Sequence, residues 1–469
     1  MRLPARPRSL CVALSSSLLL AACVDLAPAY RRPDAPVAAA WPAAPASAAP
    51  AAAPGADDIG WRDFLLDDRL RQVVALALAN NRDLRVAVAT LEQSRAQYRV
   101  QQAARLPALG ADATATRSRS AGFTSDSYSV NLGVSAYELD FFGRVKNLSD
   151  AALQSYLASA EGARSTRLTL VADVATAWLT LAADSEQVAL AEQTLASQTR
   201  SLELTRRMHE LGAATGLTVA QAESGVESAR VSAATARAQV AQDLNALTLL
   251  AGAPLAAELL PAQPLAQSAA LLVELPAGLP AQVLQRRPDV LSAEHSLQAA
   301  QWDIGAARAA FFPTIALTAG AGTASADLAG LFKRGSGAWN FGPSLALPIF
   351  DGGTHRAELA SARAARDIAL ATYEKSVQTA FREVADALAV RAALAERIAA
   401  QDAVTRAGQT SLRLAEALFR HGGSGYLDVL EAQRTLYASQ QAQISLRLAE
   451  QGNRITLYKV LGGGWKEST

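Results

Sequence analysis

Tyr128-Ser129-Val130-Asn131-Leu132-Gly133-Val134-Ser135-Ala136 puts Tyr128, Val130, Leu132, Val134 and Ala136 on one row and small or polar residues on the other. Successive side chains of a strand point to opposite faces, so this period of two describes a strand with one apolar and one polar side. Soon after it, Arg144 opens a run to Leu211 of 68 residues with no proline and one glycine, Gly162. At about 1.5 Å per residue such a run forms a helix of roughly 100 Å. A strand feeding a helix of that length decides the architecture.

Three further stretches alternate in the same way. Leu109, Ala111, Ala113 and Ala115 form the apolar row of 109–116, and Ile315, Leu317, Ala319 and Ala321 that of 314–322. Trp339, Phe341, Leu345 and Leu347 form the row of 339–347, with Pro343 in it. Strands are therefore expected at about 109–117, 128–138, 314–323 and 338–347. Each has about the length a tilted strand needs to cross hydrocarbon. A soluble half-buried sheet would give the same alternation, and the aromatics separate the two. Windows 121–142 and 311–350 hold 11 of the 26 aromatic residues in 62 of 469 positions, the clustering expected of interfacial girdles. A sheet in lipid must close, because open edges leave unpaired amides. Four strands are too few, since barrels start near 8 strands, so copies of the chain must pool theirs. The strands alone leave open whether two or three chains do so.

The same order of elements occurs twice. At a shift of 206 residues Asp83 falls on Asp289, Leu91 on Leu297 and Pro107 on Pro313. At 209, Leu139-Asp140-Phe141-Phe142-Gly143 lies over Pro348-Ile349-Phe350-Asp351-Gly352. At 210, Leu217, Val219 and Ala222 meet Leu427, Val429 and Ala432. Repetition of this kind fixes the architecture. A first repeat is read over 61–252, with short helices at about 67–105, a long helix at 144–211 and a return helix at 218–251. A linker over 253–280 leads to a second repeat over 281–465, with helices at about 281–310, 354–421 and 428–461, and a tail over 466–469. Thr354 to His421 again gives 68 residues with no proline and one glycine, Gly408. Val174, Leu181, Val188, Leu195 and Leu202 recur every seven residues, a stripe that supercoils left-handedly against neighbours. Val377, Phe381, Val384 and Leu388 form a second stripe, interrupted farther on by Arg391 and Thr405.

Residues 1–22 read as a targeting segment: Arg2, Arg6 and Arg8 precede the apolar run Leu10 to Leu20. Leu20-Ala21-Ala22-Cys23 has the form of a lipobox, with an ordinary cleavage site as the alternative. Cleavage there would leave Cys23 carrying a diacylglycerol thioether and an N-palmitoyl group, and several acyl chains together hold firmly. Val24, in place of an aspartate, points to delivery to the outer membrane. Loss of 1–22 removes three of the 44 basic residues against 43 acidic ones, leaving a net charge of −2. Such a balance, with no basic run, argues against nucleic-acid binding. No later stretch of 18 consecutive apolar residues exists, so no membrane-spanning helix is expected. Residues 23–60 are rich in alanine and proline and read as an extended tether.

The helical hairpins must reverse at Gly212-Ala213-Ala214-Thr215-Gly216-Leu217 and at Gly422-Gly423-Ser424-Gly425-Tyr426-Leu427. Glycine suits such turns because they call for positive φ. Gly212, Ala213, Thr215, Gly216, Leu217, Gly422, Gly423, Ser424, Gly425, Tyr426 and Leu427 are candidates for docking a partner at the tips. Enzymatic chemistry finds no support. His209, His295, His355 and His421 are scattered without ligand spacing. Pro348 to Gly353 lacks the lysine of a phosphate loop, and Ser424 lacks the strand–turn–helix context of a nucleophile elbow. Neither a metal nor any cofactor other than the lipid on Cys23 is expected.

Several blocks together resemble the TolC-like outer-membrane factor family, in its lipoprotein branch serving tripartite multidrug efflux. They include Leu20-Ala21-Ala22-Cys23, Ala29-Tyr30-Arg31-Arg32-Pro33, Trp61-Arg62-Asp63-Phe64 and Ala79-Asn80-Asn81-Arg82-Asp83-Leu84. They continue with Tyr137-Glu138-Leu139-Asp140-Phe141-Phe142-Gly143-Arg144, Arg286-Arg287-Pro288-Asp289-Val290, Phe341-Gly342-Pro343-Ser344, Pro348-Ile349-Phe350-Asp351-Gly352-Gly353 and Leu457 to Trp465. The resemblance implies an α+β membrane protein: a homotrimer whose four strands per chain make a 12-stranded barrel in the outer membrane, continued by a periplasmic helical barrel. It implies that the tips meet a periplasmic adaptor protein and, through it, an inner-membrane pump, with small drugs or solvents passing by passive diffusion. It also implies an iris just before the second tip, where Arg413, Glu416 and Arg420 are the matching residues; Ala417 and Leu418 depart from the more charged pattern expected there. Those three charges could equally be a solvated helix face. Export of protein or polysaccharide on the same fold, and a non-conducting coiled-coil scaffold, are the competing readings.

Overall fold

The computed structural model describes residues 26–38, 41, 59–262, 265, 271–273 and 281–463. The signal segment, Cys23, the tail 466–469 and parts of the tether and linker lie outside the described residues. Elements run in the order α1 (Trp61–Phe64), α2 (Asp68–Asn80), α3 (Arg82–Ala103), β1 (Leu109–Ser120), β2 (Phe123–Glu138), α4 (Arg144–Glu210) and α5 (Gly216–Ala251). They continue with α6 (Pro288–Ala309), β3 (Thr314–Ser325), β4 (Gly337–Ala346), α7 (Thr354–Arg420) and α8 (Tyr426–Val460). Helix, two strands, a 67-residue helix and a return helix thus follow one another in each half.

The chain divides into two compact units. One holds Ala89–Glu161, Leu291–Ser376 and the described residues up to Ala35; the other holds Pro36–Val88, Gly162–Val290 and the described residues from Val377 onward.

The first unit is built on a four-stranded antiparallel sheet in the order β1-β2-β3-β4. β1 and β2 are longer than alternation alone indicates and meet in a two-residue turn, with Ala121 at φ 48° and Gly122 at φ 86° between the paired Ser120 and Phe123. Positive φ at both central residues is the geometry that matches strand twist. β2 carries a bulge between Val134 and Tyr137, with Ala136 at φ 53°. The extra residue rephases the strand, so Tyr137, paired with Leu317, and not Ala136, continues the apolar row. Pro343, which has no amide to donate, pairs with Leu317 on β4, the outermost strand of the sheet within one chain.

Each strand-to-helix junction carries an aspartate cap. Asp140 accepts from the amides of Val145 and Lys146 at 3.1 and 2.7 Å. Asp351 accepts from those of Gly353 and His355 at 2.9 and 2.8 Å. These bonds satisfy orphan amides at the start of α4 and α7. Arg144 reaches back to the Glu138 carboxylate, its Nε donating at 2.9 Å. The described stretch 26–38 of the tether forms neither helix nor strand and is docked: Tyr30 Oη donates to Glu294 at 2.7 Å, and Arg32 donates two bonds to the same carboxylate at 2.8 and 2.7 Å. Burial, reinforced by Glu294, pushes the Tyr30 phenol up to about 12.

In the second unit Val174, Leu181 and Leu202 of the heptad stripe are buried, as are Val377, Val384 and Leu388. Thr405, which interrupts the second stripe, is buried with its hydroxyl donating to the Ser439 carbonyl at 3.4 Å. An 18-residue window of α4 is apolar enough on average to cross a bilayer, although it is not an unbroken apolar run, and 56% of it is buried within the fold, as in a core helix. The helices expected over 67–105 divide at Asn81, whose side chain caps α3 at Leu84 and donates to the Leu250 carbonyl at 2.9 Å. The stretch at 281–310 begins as a 3-10 turn, Ala281–Arg286, and becomes α-helical at Pro288, the first position where proline fits a helix. Arg287, buried beside it, binds Asp289, Glu383 and the Val460 carbonyl. Trp41 stacks on Phe381 with ring centroids 4.5 Å apart.

Candidate functional site: an apolar sheet face and paired helical tips

Strand register assembles one continuous apolar face. Leu109 pairs with Val134, Ala111 with Leu132, Ala113 with Val130 and Ala115 with Tyr128. Val134 and Leu132 then pair with Ala319 and Ala321, which pair with Phe341 and Trp339; Ile315 pairs with Leu345. Directly opposed residues share a face, so the four apolar rows of the sequence merge into a single surface. Trp339, Phe341 and Leu345 are 81%, 64% and 65% exposed, a patch that water does not favour. The other face is polar: Asp112 pairs with Asn131, Thr114 Oγ1 lies 2.7 Å from Ser129 Oγ, and Ser118 Oγ lies 2.9 Å from Ser125 Oγ. Phe123, paired with Ser120, falls on the polar row at the turn and not on the apolar face. Among the described residues β1 and β4 each have one edge without a strand partner. An apolar exterior, a polar interior and two open edges are what a barrel segment needs.

The two helical tips lie side by side in the second unit. Leu202 of α4, Ala222 and Val226 of α5, and Tyr426, Val429 and Leu430 of α8 form one buried cluster, with Leu412, Ala415 and Phe419 of α7 against it. Gly212 and Gly422 take positive φ, 77° and 73°, closing α4 and α7. Ala213 N donates to Met208 O at 2.7 Å and Gly423 N to Leu418 O at 2.8 Å, so both turns use the same six-residue bond. Thr215 caps α5 by accepting from Thr218 N, and Gly425 precedes α8 without a side-chain cap. Gly216 and Tyr426 are the first helical residues, so the return helices start two residues earlier than expected.

Leu217 and Leu427 stand at equivalent positions of the two tips and are 70% and 58% exposed. Tyr426, grouped with them in the sequence, is instead 4% exposed, meets Phe419 edge-on at 5.5 Å, and holds the tips together. Ser424 is half-buried. A cavity of about 370 Å³ opens beside the tip between Ser197, Arg200, Ser201, Leu204, Glu416, Phe419, Arg420, Tyr426 and Val429. Glu416 and Arg420 therefore line a shared space, with Arg420 Nε donating to the Glu416 carbonyl at 3.2 Å, whereas Arg413 lies outside that lining. At the 210-residue offset Arg206 and Glu210 occupy the positions of Glu416 and Arg420 with the charges exchanged. That offset was the signal that could have drawn the first tip into the same reading.

One polar pair was not found from the sequence. Asp184 of α4 and Asp243 of α5 face each other, flanked by Gln187 and Gln239. Burial, reinforced by the Asp243 carboxyl, raises the Asp184 carboxyl to about 6. Asp243 Oδ2 is buried without a hydrogen-bond partner among the described residues, and an Asp184 carboxyl that keeps its proton avoids placing two like charges side by side. Among the described residues no group of three His, Cys, Asp or Glu could hold a metal ion.

Comparison with known proteins agrees with this geometry. The model of the family described as "Outer membrane efflux protein" matches residues 73–253 and 279–463. The toluene efflux pump outer membrane protein TtgC of Pseudomonas putida is 47% identical over 464 residues, covering 97% of this chain and 95% of that one. Outer membrane protein OprJ of Pseudomonas aeruginosa is 46% identical over 463 residues, covering 97% and 96%. The open-state crystal structure of the Neisseria gonorrhoeae MtrE outer membrane channel aligns with a TM-score of 0.85 at 38% identity, covering 94% of this chain and 99% of that one. A membrane protein from Pseudomonas aeruginosa aligns at 0.88 and 43% identity, covering 95% and 99%. With both halves matched, the chain belongs to the outer membrane efflux protein family and is an outer-membrane channel component of efflux.

Proposed function

We propose that three copies of this chain close their sheets into one 12-stranded barrel in the outer membrane, and that their long helices continue it into the periplasm as the passive exit duct of a tripartite pump. The observation that carries this reading is the four-stranded sheet with one unpaired edge on β1 and another on β4. Lipid cannot satisfy those amides, and a copy of the same chain can. The polar face would line the water-filled duct.

At the tips, the exposed Leu217 and Leu427, presented by the turns at Gly212, Ala213, Thr215, Gly216, Gly422, Gly423, Ser424 and Gly425, would meet a periplasmic adaptor protein and through it an inner-membrane pump of the RND type. Tyr426 supports that surface from beneath. Glu416 and Arg420, with Arg413, would hold the periplasmic end shut. Cys23 would carry the diacylglycerol and palmitoyl groups that fix the tether in outer-membrane lipid. Relatives named for toluene and for antibiotic efflux support small apolar toxic compounds as cargo. Selection would rest with the pump, since a wide aqueous duct discriminates little.

Deleting the gene and restoring it on a plasmid tests the reading. Sensitivity to toluene, dyes and antibiotics should rise on deletion and return to the parental level on complementation. Unchanged sensitivity, with defective secretion of protein or polysaccharide, would replace drug efflux by another export route. Replacing Cys23 with serine should abolish metabolic palmitate labelling, and label retained on that variant would overturn the anchor.

A further inference from the structure

The apolar face of the sheet ends in arginines. Along β1 the outward row runs Leu109, Ala111, Ala113, Ala115 and then Arg117 and Arg119, all on one face because alternate residues share a side. Tyr128 pairs with Ala115 at the last apolar step; Asp126 pairs with Arg117 and Thr124 with Arg119. Trp339, beside Ala321, marks the same rim of the face on β4. Arg117 is thus one step, roughly 7 Å, beyond the rim and Arg119 two steps. The β3–β4 connection brings Lys333 and Arg334 to the same end of the sheet, on a loop fixed by Lys333 N to Gly330 O at 3.1 Å and Ser336 N to Lys333 O at 3.1 Å. Arg117 forms an ion pair with Asp126 at 3.3 Å, and Asp327 caps the Gly330 amide. Arg119, Lys333 and Arg334 are exposed.

This end of the sheet is the one away from the helices, since α3, α4, α6 and α7 all join the strands at the opposite end. In an outer-membrane channel with its helices in the periplasm, the hairpin turns therefore reach the outer leaflet. Hydrocarbon meets the apolar rows, and the groups one or two strand steps farther out meet lipid headgroups. Exposed cations one or two strand steps beyond the apolar rows, which end in Tyr128 and the exposed Trp339, match an amphiphile with fixed negative charge and acyl chains.

We propose that Arg119, Lys333 and Arg334, with the rim residues Tyr128 and Trp339, form a docking surface for a phosphorylated, multiply acylated saccharide lipid of the outer leaflet. The guanidinium and ammonium groups take its phosphates, and the rim aromatics lie against its acyl chains. The inference rests on outer-membrane placement and on the register of one chain, and stands whether or not the tips dock an adaptor.

The test is retention of diphosphoryl lipid A by the full-length protein in detergent, read by native mass spectrometry. Three proteins are compared: the parent, the variant Arg119→Ser/Lys333→Ser/Arg334→Ser, and a charge-matched control, Arg230→Ser/Arg363→Ser/Arg382→Ser, on the helices. The hairpin variant should retain lipid A about tenfold more weakly, with the control at the parental level, and lipid A stripped of its phosphates should bind the parent as weakly. Equal retention by parent and hairpin variant, or equal retention of the stripped lipid by the parent, would overturn the proposal. Should the triple variant fail to fold, Arg119→Lys and Arg119→Ser give the same reading singly: lysine keeps most of the affinity and serine lowers it, and identical values for the two contradict the assignment.

Discussion

The carboxylate of Asp140 accepts a hydrogen bond from the backbone amide of Lys146 at 2.7 Å, tying the end of the β1–β2 hairpin to the first turn of a 67-residue helix. Asp351 makes the corresponding bond to His355 at 2.8 Å in the second half. Strand and helix are thereby coupled at both junctions. Replacing Asp140 with alanine should cost about 1 kcal/mol, the usual loss for a helix cap, and asparagine should recover most of it. Thermal unfolding followed by circular dichroism checks this; equal melting of the alanine variant and the parent would make the cap dispensable.

Arg287 is a buried cation of the second unit with three partners, Asp289, Glu383 and the Val460 carbonyl. Burial opposes its charge, but Asp289 and Glu383 outweigh burial and hold the guanidinium pKa above its ordinary value. Arg287→Ala would strand two carboxylates and the Val460 carbonyl, a loss of about 3 kcal/mol or more. Arg287→Lys should rescue little, because a point charge cannot serve three partners in a fixed fork. Denaturant unfolding of both variants gives the answer, and full rescue by lysine would reduce the site to simple charge.

Stability should depend on pH through Asp184. Its folded carboxyl is raised from 3.8 to about 6, so the native chain holds a proton that the unfolded chain releases. The stabilisation is complete below the unfolded value and is lost as pH climbs through the folded one. Asp184→Asn can donate to Asp243 without that proton, and should flatten the melting profile between about pH 4 and pH 7. A variant with the parental slope would show that the Asp184 proton does not set the pH dependence.

Glu416→Ala should raise single-channel conductance in planar bilayers if the carboxylate helps to close the periplasmic end. Arg413→Ala, outside the cavity that Glu416 and Arg420 line, should change it less. Conductance indifferent to Glu416→Ala, Arg413→Ala and Arg420→Ala alike would return the three positions to a solvated helix face.

Much of this was legible in the sequence because it is carried by local periodicity. Proline-free runs fixed α4 and α7, alternation located the strands, and offsets near 210 residues paired Leu217 with Leu427. What escaped depends on partners distant along the chain. The bulge that exchanges Ala136 for Tyr137 is set by pairing with β3, not by residues 128–138. The break at Asn81 is completed by the Leu250 carbonyl. Tyr30 and Arg32 read as tether, yet their partner Glu294 lies more than 260 residues away. Tyr426 resembled a surface aromatic because its burial depends on helices from both halves. Asp184 and Asp243 carried no spacing signal, since two helices bring them together across a turn.

The central claim is that one chain holds too little sheet to seal itself in lipid. Native mass spectrometry of the protein extracted in mild detergent tests it most directly. The expected particle has the mass of three chains with bound lipid and gives a β signal in circular dichroism. A particle of one chain mass that still forms conducting pores when reconstituted would contradict the claim.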